Sequence, residues 1–254
     1  MKIALLFLTY DNLSQPKLWR RIIDNNKDKL NVYIHNKNEF IDNDYNLHEY
    51  CIKNIVNTKY GHKSLVEAEL NLLKEAYQNE ENSFYIFLSD KCIPLHNFDY
   101  IYKEIFKMNS NIICNTISYD KNYASINRYE FLTDKSFINY TEFSKDSQWL
   151  ILNRETTNFF INNNFLHFYS ENFYAVDEHY FGNICNKFNI SYINKSITHV
   201  NWFEKSDNIN DRQYPKTYEI LTDEMINNFL KYDFFFIRKI SKNCKLPDYF
   251  DNLS

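Results

Sequence analysis

An α/β fold, with a mostly parallel central sheet and helices on both faces, is the architecture this sequence predicts. Three observations point to it. The first half alternates strand-length apolar runs with stretches of helical periodicity. Two of those runs, Ile3–Leu8 and Phe84–Leu88, are apolar throughout, as strands covered on both faces are. The stretches between them place apolar residues on one side only, at the 3.6-residue period of a core-facing helix.

The elements follow in order. Ile3-Ala4-Leu5-Leu6-Phe7-Leu8 reads as a first core strand. It is too short for a membrane span or a signal peptide, and no other stretch approaches membrane length. Ser14 and Pro16 announce a helix whose apolar positions are Leu18, Trp19, Ile22 and Ile23. Asn31–His35 is a second strand. Ser64-Leu65-Val66-Glu67 has the form of a capping box, opening a helix with Val66, Leu70, Leu73 and Tyr77 on one face. Phe84–Leu88 is a third strand, followed by the loop Ser89–Pro94. A helix over 98–108 and a strand over 111–115 come next. Residues 116–146 read as irregular. Order returns at Ser147–Leu152, then come a helix from about Arg154 and a helix-like pattern after Asp177-Glu178. Ser196–Trp202 is strand-like, a helix lies near 221–231, and an aromatic run covers Phe234–Ile240. No repeat, coiled coil or linker interrupts the 254 residues, so a single domain over 1–254 is expected.

Composition removes several functions. A net charge of -4 and a pI of about 6.0 argue against nucleic-acid binding through bulk charge. With two glycines in the chain, neither a P-loop nor a dinucleotide-binding Gly-rich turn can be built. The five cysteines (Cys51, Cys92, Cys114, Cys185 and Cys244) are odd in number and widely spaced, without a CxxC pair. Reduced thiols in a cytosol-like compartment are expected, rather than a disulfide framework or zinc site.

The segment Val176-Asp177-Glu178-His179-Tyr180-Phe181 sets two carboxylates and an imidazole among apolar neighbours. That is the environment of a general base, although Asp-Glu before a helix is also ordinary capping. The strand ends carry polar loops (Thr9-Tyr10-Asp11, His35-Asn36-Lys37 and Ser89-Asp90-Lys91) where ligands of parallel sheets bind. His179 and His199 lie on different elements without matching ligands and are read as structural rather than metal-binding. Asp42-Asn43-Asp44 is read as a solvated turn. Ser89 lacks the GxSxG elbow of a hydrolase nucleophile.

Seven segments, in order, resemble the core-2/I-branching β-1,6-N-acetylglucosaminyltransferases, a family that also holds peptide O-xylosyltransferases. They are Ile34-His35-Asn36-Lys37, Tyr60–Val66, Phe87–Leu95, Ser147-Gln148-Trp149, Asp177–Phe181, Lys195–Trp202 and Phe236-Ile237-Arg238-Lys239. The resemblance implies a GT-A-like fold, a UDP-sugar donor, a glycan acceptor, inversion at the anomeric carbon, and catalysis without a metal. It implies a nucleotide-binding half over 1–115 and an acceptor and catalytic half over 116–254. Residue by residue it makes Glu178 the catalytic base and sets Arg238 and Lys239 on the donor diphosphate. Lys195 matches a position usually held by Arg. Asn36 matches a nucleotide-loop position that is commonly Asp, and Tyr60 a position near the nucleotide. Trp149 and Trp202 match positions on the acceptor side, and Ser89 lies in a loop able to touch donor or acceptor. Golgi relatives carry a membrane anchor and disulfides, so a bacterial or viral enzyme of a cytoplasmic compartment is expected here. The alternative readings are an inactive nucleotide- or sugar-binding module on the same fold, and a structural protein that reuses it.

Overall fold

The computed structural model describes residues 1–39, 44–118, 128–204 and 214–253, with 115–118 described by backbone alone. In chain order its elements are β1 (Lys2–Thr9), α1 (Pro16–Asn25), β2 (Leu30–Asn36), α2 (Ser64–Tyr77), β3 (Asn82–Ser89), β4 (Ile93–Pro94), α3 (Phe98–Met108), β5 (Asn111–Ile112), β6 (Asn115–Ser118), β7 (Ser144–Asp146), β8 (Ile151–Asn153), α4 (Arg154–Asn162), α5 (Tyr180–Lys187), β9 (Tyr192–Ile193), β10 (Thr198–Val200), β11 (Tyr218–Ile220), α6 (Asp223–Phe229), β12 (Phe236–Arg238) and β13 (Ile240–Lys245).

The central sheet has the order β2-β1-β3-β8-β5-β9. Strand β1 pairs in parallel with β2 and β3, Leu5 facing Val32 on one side and Ile86 on the other. Burial explains why β1 is apolar at every position. Its odd residues Ile3, Leu5 and Phe7 pack with Leu18, Trp19, Ile22 and Ile23 of α1 and with Ile101 and Ile105 of α3. Its even residues Ala4 and Leu6 pack on the opposite face with Val66, Leu70 and Leu73 of α2, Phe160 of α4 and Phe181 of α5. Each face of the strand thus has its own helical layer. Trp19 is fully buried and edge-on to Phe7, at 4.9 Å between ring centroids, with its indole N–H donating to the Cys92 carbonyl.

The central sheet is mostly parallel, as expected: β2, β1 and β3 run in parallel, as do β5 and β9, and β8 enters antiparallel to both β3 and β5. One expectation changes. The capping box at Ser64 is not formed: Lys63 occupies the cap position of α2 without a side-chain bond. The Ser64 hydroxyl instead accepts from the Lys59 N–H at 2.9 Å and pairs with His62 Nδ1 at 3.1 Å, tying down the loop before the helix.

The chain runs from β1 to β2 on one side and returns to β3 on the other. The loops after β1 and β3 both lead into the layer of α1 and α3 and are tied together there, the Ser14 N–H donating to the Asp90 carbonyl at 2.8 Å. Beside them lies a small sheet, β10-β12-β4, in which β12 is parallel to β10 and antiparallel to β4. This layer brings Arg238, at the end of β12, to the same cavity wall as Thr9, Tyr10 and Asp90. The backbone beyond it is pinned, since Tyr218 N–H donates to the Lys239 carbonyl and Ile240 N–H to the Lys91 carbonyl. Among the described residues no helix is long and apolar enough to cross a membrane, and the five thiols are unpaired.

Candidate active site

Two chambers open above the carboxyl ends of β1 and β3. The first has a volume of about 490 Å³, and the strand-end residues Thr9, Tyr10, Lys37 and Asp90 form part of its wall. The second, about 760 Å³, lies toward β10 and α6 and is walled by His199, Tyr218, Phe229, Tyr232 and Phe234. Six residues belong to both walls: Lys145, Gln148, Trp149, Glu178, Trp202 and Arg238. Glu178 thus stands where the chambers join.

The segment carrying Glu178 is a single 3-10 turn, Val176–Glu178, set before α5. Ala175 enters it at φ 60°, and its N–H donates to the Gly61 carbonyl at 2.6 Å. The capping explanation for Asp177-Glu178 fails, because His179 occupies the cap position of α5, itself without a side-chain capping bond, and neither carboxylate bonds the first turn. Glu178 Oε2 instead takes two cations, Arg128 Nη1 at 2.9 Å and Lys145 Nζ at 3.3 Å.

His179 supports this pairing from beneath. Its ring is fully buried, stacked on Phe143 at 4.8 Å. Nδ1–H donates to the Ser144 carbonyl at 2.7 Å, and Nε2 accepts from the same Arg128 Nη1 at 3.1 Å. Burial, helped by the charge of Arg128, drives its pKa down to about 3. The ring is therefore neutral and acts as an acceptor that aims the guanidinium at Glu178.

Burial raises the proton affinity of the other carboxyls nearby. Asp177 is buried, and burial followed by the Glu178 charge pushes its pKa up to about 7. Burial takes Asp146 up to about 8 and Glu69 well above the carboxylate range. Glu69 Oε1 accepts from Gln148 Nε2 at 2.9 Å, which holds that amide at the junction. Five basic side chains (Lys37, Arg128, Lys145, Arg238 and Lys239) line the first chamber against Asp90, Asp177 and Glu178. Five cations face three carboxyls, and burial raises the proton affinity of Asp177 and Asp90 among those three, so the chamber is net positive near pH 7.

A family model described as Core-2/I-Branching enzyme matches residues 3–230. The chain belongs to the core-2/I-branching enzyme family. A relative, glycosyltransferase BC10 of Oryza sativa subsp. japonica, is 25% identical over 160 residues, which are 61% of this chain and 39% of that protein. The chain thus spans well under half of that relative's length. The solved apo structure of WbbM, a bifunctional glycosyltransferase, aligns with a TM-score of 0.47 at 12% identity, over 93% of this chain and 45% of that one.

Of the residues the family resemblance singles out, the cleft gathers six. Glu178, Trp149, Trp202 and Arg238 lie at the junction, and Tyr60 and Lys239 on the first chamber's wall. The Arg238 guanidinium lies 4.3 Å over the Trp149 ring, and its Nε has no hydrogen-bond partner among the described residues. A solvated edge is therefore excluded for Arg238.

Three expected residues fall elsewhere. Lys195 lines neither chamber; its ammonium is 3.5 Å from Asp233 and 5.4 Å from the centre of the Phe235 ring. Asn36 ends β2 with its amide donating to the Asn38 carbonyl, and the next residue, Lys37, faces the chamber instead. Ser89 is buried, its hydroxyl between Cys92 Sγ and the Lys91 N–H. His199 sits between the Phe229 and Phe234 rings, and no metal-competent group of side chains occurs among the described residues. Asp42 and Asn43 lie outside the described residues.

Arg128 and Lys145, the partners of Glu178, were not singled out from the sequence, because both fall in the stretch read as irregular. One compositional signal could have found Arg128. Only six of the 29 basic residues are arginine, so each stands out in a lysine-rich chain.

Proposed function

We propose that this chain is a metal-independent, inverting glycosyltransferase that moves a sugar, GlcNAc foremost, from a UDP-sugar to a hydroxyl of a glycan or glycoconjugate. The observation that carries the reading is one carboxylate, Glu178, at the junction of a cation-lined chamber and an aromatic-lined one. The first suits a nucleoside diphosphate, the second the acceptor glycan. Trp149 and Trp202 at the junction offer ring faces on which sugars stack.

In this scheme the acceptor hydroxyl attacks the anomeric carbon from the face opposite the diphosphate. Its proton passes to Glu178 as the new C–O bond forms. The bond from the anomeric carbon to the diphosphate breaks, and the electron pair leaves with the diphosphate. One displacement at one carbon inverts its configuration. The negative charge that grows on the leaving group is met by Arg238 and Lys239, fixed cations that need no reorganisation as the bond breaks. Those two side chains take the part a divalent ion plays elsewhere, so turnover is expected to persist in EDTA.

The test is a screen of nucleotide sugars against glycan acceptors, read by product mass and UDP release, with and without EDTA. Transfer in EDTA supports the reading. Loss of activity that returns only with Mn²⁺ refutes metal independence. Donor binding without turnover on any acceptor would make the chain a binding module.

A further inference from the structure

Three tyrosines from separate segments meet on the wall of the first chamber. Tyr60 stands edge-on to Tyr174, with ring centroids 6.2 Å apart, and to Tyr214, 6.4 Å apart. Each outer ring carries a cation: the Arg128 guanidinium is 5.4 Å from the Tyr174 centroid and the Lys239 ammonium 5.1 Å from that of Tyr214. The aromatic chain thus links the cation that holds Glu178 to a cation at the exit of β12.

The backbone is shaped to allow it. Gly61 has φ 66°, and a Cβ there would overlap the Tyr174 ring. The Ala175 N–H bond to the Gly61 carbonyl fastens the two loops together. Yet Tyr60 is 69% exposed and Tyr174 50% exposed. Rings so open to solvent add little to the core, although the loops that hold them are constrained.

Their position selects one part of a donor. On the glycosyl-transfer reading, the nucleoside takes the strand-end region of Thr9, Tyr10 and Lys37. The tyrosines lie between the Glu178 side of the chamber and Lys239, where the bond between sugar and diphosphate would break. Resting on the glycosyl-transfer reading, we infer that Tyr60, Tyr174 and Tyr214 form an aromatic wall over the donor's anomeric carbon that keeps water out and reserves it for the acceptor alcohol. Without the wall, water takes the alcohol's place: its oxygen bonds to the anomeric carbon, its proton goes to Glu178, and free sugar and UDP result.

The experiment compares wild type, Tyr60→Ala and Tyr60→Phe, with UDP-GlcNAc and N-acetyllactosamine or the pair returned by the donor screen. It reads free sugar and transferred sugar separately, and UDP affinity by calorimetry. Tyr60 is exposed, so both variants should fold, as the thermal midpoint will verify. Tyr60→Ala should raise the ratio of hydrolysis to transfer about tenfold, a barrier change of about 1.4 kcal/mol, and leave the UDP Kd within about twofold. Tyr60→Phe keeps the ring and should keep the wild-type ratio. An unchanged ratio in Tyr60→Ala overturns the wall. So does an unchanged ratio with a raised UDP Kd, which would assign Tyr60 to the nucleotide. A wild type that turns over no nucleotide sugar removes the transfer reading itself, and this inference with it.

Discussion

Truncating Arg238 to alanine asks whether the diphosphate lies against the end of β12. The guanidinium is already partly desolvated, stacked over Trp149 at 4.3 Å, with an Nε donor that no described residue accepts. Burial lowers its pKa, but an arginine starts so high that the charge persists. A hydrogen bond from such a group to a phosphate contributes about 1.5–3 kcal/mol. At about 1.4 kcal/mol per decade, Arg238→Ala should raise the Kd for UDP by about 10- to 100-fold in isothermal titration. Arg238→Lys restores a charge but neither the planar fork nor the flat stack, so it should recover only part of the loss. Truncation also removes a cation–π contact of about 0.5–2 kcal/mol. In a protein of this size that lowers the thermal midpoint by several degrees, on the order of 2–4 °C per kcal/mol, without unfolding it. A folded Arg238→Ala protein that binds UDP within about threefold of wild type would refute the placement, because a lost charged hydrogen bond cannot be that small.

Glu178→Gln should spare UDP binding and lower turnover by about 10²–10⁴, the usual contribution of a positioned base; a rate within tenfold of wild type would show that another group takes the proton. Gly61→Ala forces a β-carbon into the left-handed region, at about 1–2 kcal/mol, and against the Tyr174 ring; its thermal midpoint should fall by several degrees, and less so in a Tyr174→Ala background if the ring is the obstacle. Stability should fall between pH 6.5 and 8.5. Asp146 and Asp177, raised to about 8 and about 7, lose protons there in the folded state, whereas the unfolded carboxyls are already ionised. The folded chain binds more protons at the start of the window, so the slope is negative, with a total on the order of 2–3 kcal/mol. Around Asp177 the charges that modulate this are Glu178, Arg128 and Lys145, and its own charge in turn raises Glu69. His179 opposes it only by a few tenths of a kcal/mol, being neutral in the fold and nearly so in the unfolded chain above pH 6.5. Urea midpoints at the two pH values check this, and Asp146→Asn should remove most of the slope.

Much of the fold was legible because β1 and its helices obey local rules. Four apolar positions of α1 (Leu18, Trp19, Ile22 and Ile23) are its four buried residues, and proline stands at its first turn. What the sequence hid was non-local. The antiparallel entry of β8 is set by pairing with β3, nearly seventy residues earlier, as at Tyr85 and Leu152, and three-residue strands carry no period of their own. The site shows the same division. Arg238 at the end of β12 and Glu178 on the 3-10 turn lie in the cleft. Lys195 does not, because a long flexible side chain before a strand can turn either way, and here it meets Asp233. Asn36 closes on the Asn38 backbone, a local bond of the kind short amides form readily.

Arg128 and Lys145 both contact Oε2 of Glu178. The pairing fixes the rotation of the carboxylate. The fixing is itself anchored, since the same Arg128 nitrogen bonds His179, whose buried neutral ring is locked by the Ser144 carbonyl. An acceptor carboxyl there would add a charge, and a protonated imidazole would repel the guanidinium. A histidine held neutral by burial does neither, so it orients Arg128 while leaving the charge of the cleft unchanged. That is a physical reason for an imidazole beside Glu178 that is neither a metal ligand nor a proton carrier.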